Sequence, residues 1–214
     1  MTGLAISLYR IDTHTDRRIT LITAHPEALL PVQRNYHPHA PFLTGENAPS
    51  GHKAVERMVG TANEHYTTIP TEHGQVRLHD GHGKGERQEN IRVASYFANK
   101  YGYKIDLLDN PDGVKSADSY NQSLDRFEEY KVNTTPSKNS IDRQIRDARK
   151  QADHIVLWID SDISIEDLSA ALRSRVKRCD TIKTVTIIRK DNDVCLTRDD
   201  ILNEGLKIRL ADLR

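Results

Sequence analysis

Residues Lys115–Lys131 read K-S-A-D-S-Y-N-Q-S-L-D-R-F-E-E-Y-K, and the rest of the chain is organised around them. On a strand, side chains alternate between faces. Glu129 and Lys131 therefore share one face, while Tyr130 and Val132 point to the other, toward a core. Asn121-Gln122-Ser123 is rich in turn formers, and a hairpin there brings Asp118 back beside Glu129. Two carboxylates and one ammonium on one surface suit metal-dependent phosphodiester chemistry. The carboxylates are hard oxygen ligands for a divalent cation, and the lysine can orient water or offset phosphate charge. Taken alone, E-x-K is a common pattern of solvated strand faces.

The 214 residues suffice for one large domain, or one domain with a smaller appendage. Lys+Arg 31 balances Asp+Glu 31, so global charge argues for neither nucleic acid nor membrane, and any electrostatic footprint has to be local. With 29% charged residues and a mean hydropathy of −0.66, the chain is polar but foldable. The two cysteines, Cys179 and Cys195, form neither a metal-ligand spacing nor a disulfide framework and fit a reducing compartment or simple packing. No apolar run approaches the ~18 residues of a membrane span, and no signal peptide is encoded at the N-terminus. A cytoplasmic location follows, or delivery into a target-cell cytoplasm by other means.

The patterning predicts strands at 3–9 and 18–23, short helices at 25–30 and near 52–66, and irregular chain over 31–51. A strand follows at 75–79, then a helix over 86–100 stopped by Gly102 in the left-handed conformation. Strands at 103–108, 117–121 and 126–133 come next, then a helix over 140–152. The run H-I-V-L-W-I-D at 154–160 reads as a central strand covered on both faces. Ser164, with Asp167 three residues on, caps a helix to about 178, and strands at 181–189 and 193–196 precede a final helix capped by Thr197. The expected division is an N-terminal region of unknown role at 1–70, a catalytic domain at 71–197 and a helical tail at 198–214.

From 86 to 160 the expected order is αβββαβ, which resembles the restriction-endonuclease-like PD-(D/E)xK core. The fold class is then α/β, with that core and a small N-terminal α/β region. The phrases R-Q-E-N-I-R-V-A-S-Y-F-A-N-K-Y-G-Y-K-I-D-L-L, G-V-K-S-A-D, E-Y-K and N-S-I-D-R-Q-I-R-D-A-R-K-Q-A-D-H-I-V-L are similar to the C-terminal toxin nuclease domains of contact-dependent growth inhibition CdiA proteins. The likeness covers roughly residues 80–190. It implies a metal-dependent endonuclease, a hydrolase acting on RNA, tRNA in particular, ahead of DNA. It also implies Glu89, Asp118, Glu129 and Lys131 as catalytic residues, a cognate immunity protein as partner, and a role in interbacterial competition or on mobile elements. Ala117 stands where the family usually has proline.

On this reading Asp118 and Glu129, helped by Glu89, hold Mg²⁺ or Mn²⁺, with Zn²⁺ a poorer fit, and Lys131 orients water or stabilises transition-state charge. Gln151, Arg143, Lys150 and His82 are the candidate substrate contacts, Gln151 being equally readable as a surface amide. Arg143, Arg146, Arg149 and Lys150, with Arg173, Arg175, Lys177, Arg178 and Lys183, supply basic surface, although Asp142 and Asp147 interleave with them. Of the 10 histidines, His37 and His39 lack further ligands at a zinc spacing. His79 and His82 precede the Glu89 helix, and a metal-independent, histidine-based ribonuclease is one alternative. A non-catalytic nucleic-acid or protein-binding module on the same scaffold is another. The loop Gly81-His82-Gly83-Lys84-Gly85 lacks the Lys-Ser/Thr ending of a nucleotide-binding loop.

Overall fold

A computed structural model describes residues 65–111 and 115–213, all within the second of the two units into which the chain divides, 48–214. The elements expected at 3–9, 18–23, 25–30 and 31–51, and the pair His37 and His39, lie outside the described residues. So does the helix expected near 52–66, except for its last two positions, where Tyr66 already opens a strand.

Eight strands follow one another across a single sheet in chain order. They are β1 (Tyr66–Ile69), β2 (Gln75–His79), β3 (Lys104–Leu107), β4 (Ser119–Asn121), β5 (Arg126–Asn133), β6 (His154–Ile159), β7 (Thr184–Arg189) and β8 (Asn192–Thr197). Helices α1 (Arg87–Tyr101), α2 (Lys138–Ala148) and α3 (Ile165–Lys177) form the crossovers β2–β3, β5–β6 and β6–β7, and these three strand pairs are parallel. The remaining neighbours, β1–β2, β3–β4, β4–β5 and β7–β8, are antiparallel. The order α1-β3-β4-β5-α2-β6 is the αβββαβ succession expected between 86 and 160.

Both faces of the central strands are covered. On one, Tyr130, Val156, Trp158 and Ile188 pack with Val93, Ala94, Phe97 and Ala98 of α1. On the other, Ile155, Leu157, Val185 and Ile187 pack with Ile141 and Ile145 of α2 and with Leu168 and Leu172 of α3. The same alternation in β5 sends Tyr130 toward α1 and sets Glu129 and Lys131, paired in register with Ile155 and Leu157, on the α2 face. The short helices α4 (Arg198–Leu202) and α5 (Leu206–Ala211) add Ile201, Leu206 and Leu210 to that second cluster. The described part of the expected tail, 198–213, is thus packed into the core, and the boundary expected at 70 falls in the turn between the paired strands β1 and β2.

Local signals account for the ends. Gly102 closes α1 at φ 70°, its N–H donating to the Ala98 carbonyl at 2.8 Å. Ser164 caps α3 by accepting from Asp167 N–H at 3.0 Å. Helix α2 starts two residues earlier than its apolar spacing suggests, because Ser137 accepts from Ser140 N–H and serves as cap. It also ends earlier, at Ala148, with tight turns at Lys150 and Gln151 donating to the carbonyls of Asp147 and Ala148.

Candidate active site

The β4–β5 hairpin builds the centre of the site. Its turn is closed by Leu124 N–H donating to the Asn121 carbonyl at 3.3 Å and by Asp125 at φ 49°, a conformation that aspartate tolerates. Ser119 pairs with Glu128, and one step further along that register Asp118 stands across from Glu129. Tyr130 N–H donates to Asp118 Oδ2 at 2.8 Å and holds that carboxylate in place.

Glu129 is 0% exposed. Lys131 Nζ donates to its Oε1 at 2.8 Å, and the Gln151 side-chain amide donates to the same oxygen. Its other oxygen, Oε2, is buried without a hydrogen-bond partner. Lys131 Nζ also lies 3.5 Å from Glu86 Oε2. Glu86 and Glu129 therefore share a single ammonium, on which the Asp118 charge also acts.

That crowding displaces the acidities. Burial, then the Asp118 charge, pushes the Glu129 carboxyl up from 4.5 to about 8 against the pull of Lys131. Asp118 is also raised, chiefly by burial, although Lys131 and the Tyr130 N–H act the other way. Burial alone lowers the affinity of Lys131 for its proton, but Glu129 and Asp118 overcome it and the lysine is held more firmly protonated than usual.

Beside the carboxylates lies a polar cleft of about 110 Å³, lined by His82, Gly83, Gly85, Glu86, Asn90, Asn110 and Asp118. His82 is 3% exposed. Its Nδ1 meets the Leu108 carbonyl at 2.6 Å and its Nε2 the Asn90 amide at 3.0 Å. A carbonyl accepts only, so Nδ1 carries the proton. Both ring nitrogens are thus engaged, and His82 ties the Gly81–Gly85 loop to the end of β3 and to α1.

The expected residues divide clearly. The structure brings Asp118, Glu129, Lys131 and Gln151 together, with His82 on the wall of the adjoining cleft. Glu89, the expected third acidic ligand, is exposed, and its charge acts on Arg92. Glu86, one turn earlier at the N-cap of α1, is the glutamate that reaches Lys131. Lys150 is turned to Asp147 at 2.7 Å, and Arg143 is an exposed residue of α2. Asp142 takes both Arg175 and Arg178, and Asp147 takes Arg146 as well as Lys150, so part of the expected basic footprint is paired within the fold.

Among the described residues, no group of three or more His, Cys, Asp or Glu side chains is arranged to hold a metal ion. A set of three carboxylates including Glu89 does not fit. Two carboxylates do suit Mg²⁺ or Mn²⁺, which keep several waters and bind through one or two protein carboxylates together with substrate oxygens. Each member of the pair has one oxygen anchored, Asp118 Oδ2 by Tyr130 and Glu129 Oε1 by Lys131 and Gln151. The buried, partnerless Glu129 Oε2 is an acceptor without a donor.

Residues 125–194 match the family model described as the contact-dependent growth inhibition CdiA C-terminal domain. That segment holds Glu129, Lys131 and Gln151 and stops short of Asp118 and Glu86. Among solved structures the chain is similar to the CdiA-CT/CdiI toxin and immunity complex from Burkholderia pseudomallei. The identity is 22%, the match covers 51% of this chain and 83% of that one, and the TM-score is 0.42. No curated protein matches the chain. None of the helices among the described residues is long and apolar enough to cross a membrane.

Proposed function

We propose that this protein is a nuclease with a PD-(D/E)xK-type centre that hydrolyses phosphodiester bonds, RNA ahead of DNA and tRNA first. The observation that carries the reading is the buried Asp118–Glu129 pair, one oxygen of each anchored, with Lys131 bonded to Glu129 at 2.8 Å. Asp118 and Glu129 would hold Mg²⁺ or Mn²⁺, which supplies Lewis-acid polarisation of a phosphoryl oxygen and a more acidic water. Lys131, kept protonated by its three carboxylate neighbours, offers a fixed positive charge to the phosphate and stabilises the charge that grows in the transition state. The cleft lined by Gly83, Gly85 and Asn110 gives a nucleotide backbone close access beside Asp118.

The match of residues 125–194 to a CdiA C-terminal domain supports a role as a toxin of interbacterial competition, acting in the cytoplasm of a target cell, with a cognate immunity protein that blocks the site. A histidine-based alternative gains nothing from His82, whose two nitrogens are already engaged. The test is induction of the full chain in a bacterial host, with Asp118→Ala and Lys131→Ala beside it and cellular tRNA followed on gels. Growth arrest with tRNA loss, absent in both variants, is the expected result. Arrest that persists in the variants, or intact tRNA during arrest, overturns the reading.

A further inference from the structure

Gln151 stands against Glu129 in a way that a substrate contact does not require. It lies just past α2, in the tight turn that ends the helix. Its backbone N–H donates to the Ala148 carbonyl at 2.9 Å, and the next residue, Ala152, donates to that carbonyl at 3.2 Å. Ala152 is buried, so this backbone is fixed. From there the side-chain amide donates to Glu129 Oε1, the oxygen that Lys131 also holds at 2.8 Å. The second oxygen, Oε2, is equally buried and receives nothing.

We infer that Gln151 is a positioning residue that locks the Glu129 carboxylate and leaves Oε2 as the atom presented to a divalent cation. The inference rests on the nuclease reading above for the identity of the ligand, and on the geometry alone for the lock. The terminal torsion of a glutamate is soft, and a single donor from Lys131 leaves the carboxylate free to rotate about that bond. A second donor from a different element removes this freedom. An amide does so without adding charge, so the negative potential that attracts the cation is preserved; an arginine or lysine at 151 would cancel it. Asp118 is treated alike, its Oδ2 held by the uncharged Tyr130 N–H.

The experiment uses the full chain with Gln151→Leu and, as a smaller replacement at this half-buried position, Gln151→Ser. Mn²⁺ binding is measured by calorimetry without nucleic acid, and a thermal double-mutant cycle pairs Gln151→Leu with Glu129→Met. Loss of an outer-shell partner costs about 10–100-fold in metal affinity, and that weakening is expected in both variants, with kcat reduced and KM for tRNA unchanged. In the cycle, Gln151→Leu should lower Tm by about 3 °C or more in the wild-type background and leave it unchanged beside Glu129→Met. Wild-type Mn²⁺ affinity with a raised KM would mean a substrate contact and overturn the inference, as would additive melting shifts. If wild type binds no Mn²⁺ while the cycle still shows coupling, the lock stands and the metal-dependent reading falls.

Discussion

Replacing Glu129 by glutamine should stabilise the apo protein, and by more as the pH rises. Glu129 is fully buried, and its carboxyl is pushed from 4.5 to about 8 by burial and by Asp118. A group whose acidity is weakened on folding contributes stability that is complete below its unfolded pKa. That contribution is lost as pH rises through the folded one. At about 1.4 kcal/mol per pH unit, the ionised side chain costs on the order of 5 kcal/mol above pH 8, and under ~1 kcal/mol at pH 5. Glutamine carries no such cost; it forfeits the Lys131 ion pair only where Glu129 is ionised, and the pull of Lys131 is already contained in the raised value. The change in the gap between the two proteins is therefore the diagnostic quantity, and it should grow by about 2–4 kcal/mol from pH 5 to pH 9. Urea denaturation in EDTA at four or five pH values measures it. A gap that stays flat, or that narrows toward alkaline pH, would refute the claim that Glu129 is held out of its ordinary ionisation by its surroundings.

Two further outcomes follow from particular residues. Glu86→Gln should reduce the nuclease rate about tenfold or more, the range for a supporting partner in such a site, while Glu89→Gln stays within about twofold of wild type, because only Glu86 reaches Lys131. Initial rates on tRNA compare them, and the reverse ranking would restore Glu89 to the centre. Gly74 sits at φ +62°, and an added Cβ would meet the Tyr103 carbonyl oxygen at 2.3 Å. Gly74→Ala should therefore cost about 2–3 kcal/mol in urea unfolding, whereas Gly85→Ala, with nothing within 4 Å of its added Cβ, should cost under ~0.5 kcal/mol.

Strand β5 lies at the expected 126–133 because alternation, a turn and a β-rich composition agree there. Alternation also puts Glu128 and Glu129 on opposite faces. Glu128 faces the other way, paired with Arg126 at 2.7 Å and accepting from the Tyr130 hydroxyl at 3.2 Å. The extent of burial was not legible: Glu129 and Lys131 read as an open strand face, and the end of α2 with Gln151 closes over Glu129. The first turn of the helix, with Glu89, is visible in sequence, whereas the path of the chain entering it, which brings Glu86 to Lys131, is not. That entry depends on His82 bonding Leu108 and Asn90, contacts between positions 26 and 8 residues apart. Sequence likewise shows the arginines and Asp142, but not that Arg175 and Arg178 at the end of the following helix converge on that one carboxylate.

The proposed metal-dependent phosphodiester-cleaving centre of Asp118, Glu129 and Lys131 can be tested in one assay. The most direct measurement is cleavage of purified total tRNA by the full chain in Mg²⁺, then in excess EDTA, then with Mg²⁺ restored, beside Asp118→Asn and Lys131→Met of matching circular dichroism. Cutting should stop in EDTA and resume with Mg²⁺, and neither variant should cut. Cutting that continues in EDTA, or that survives both substitutions, would contradict the proposal.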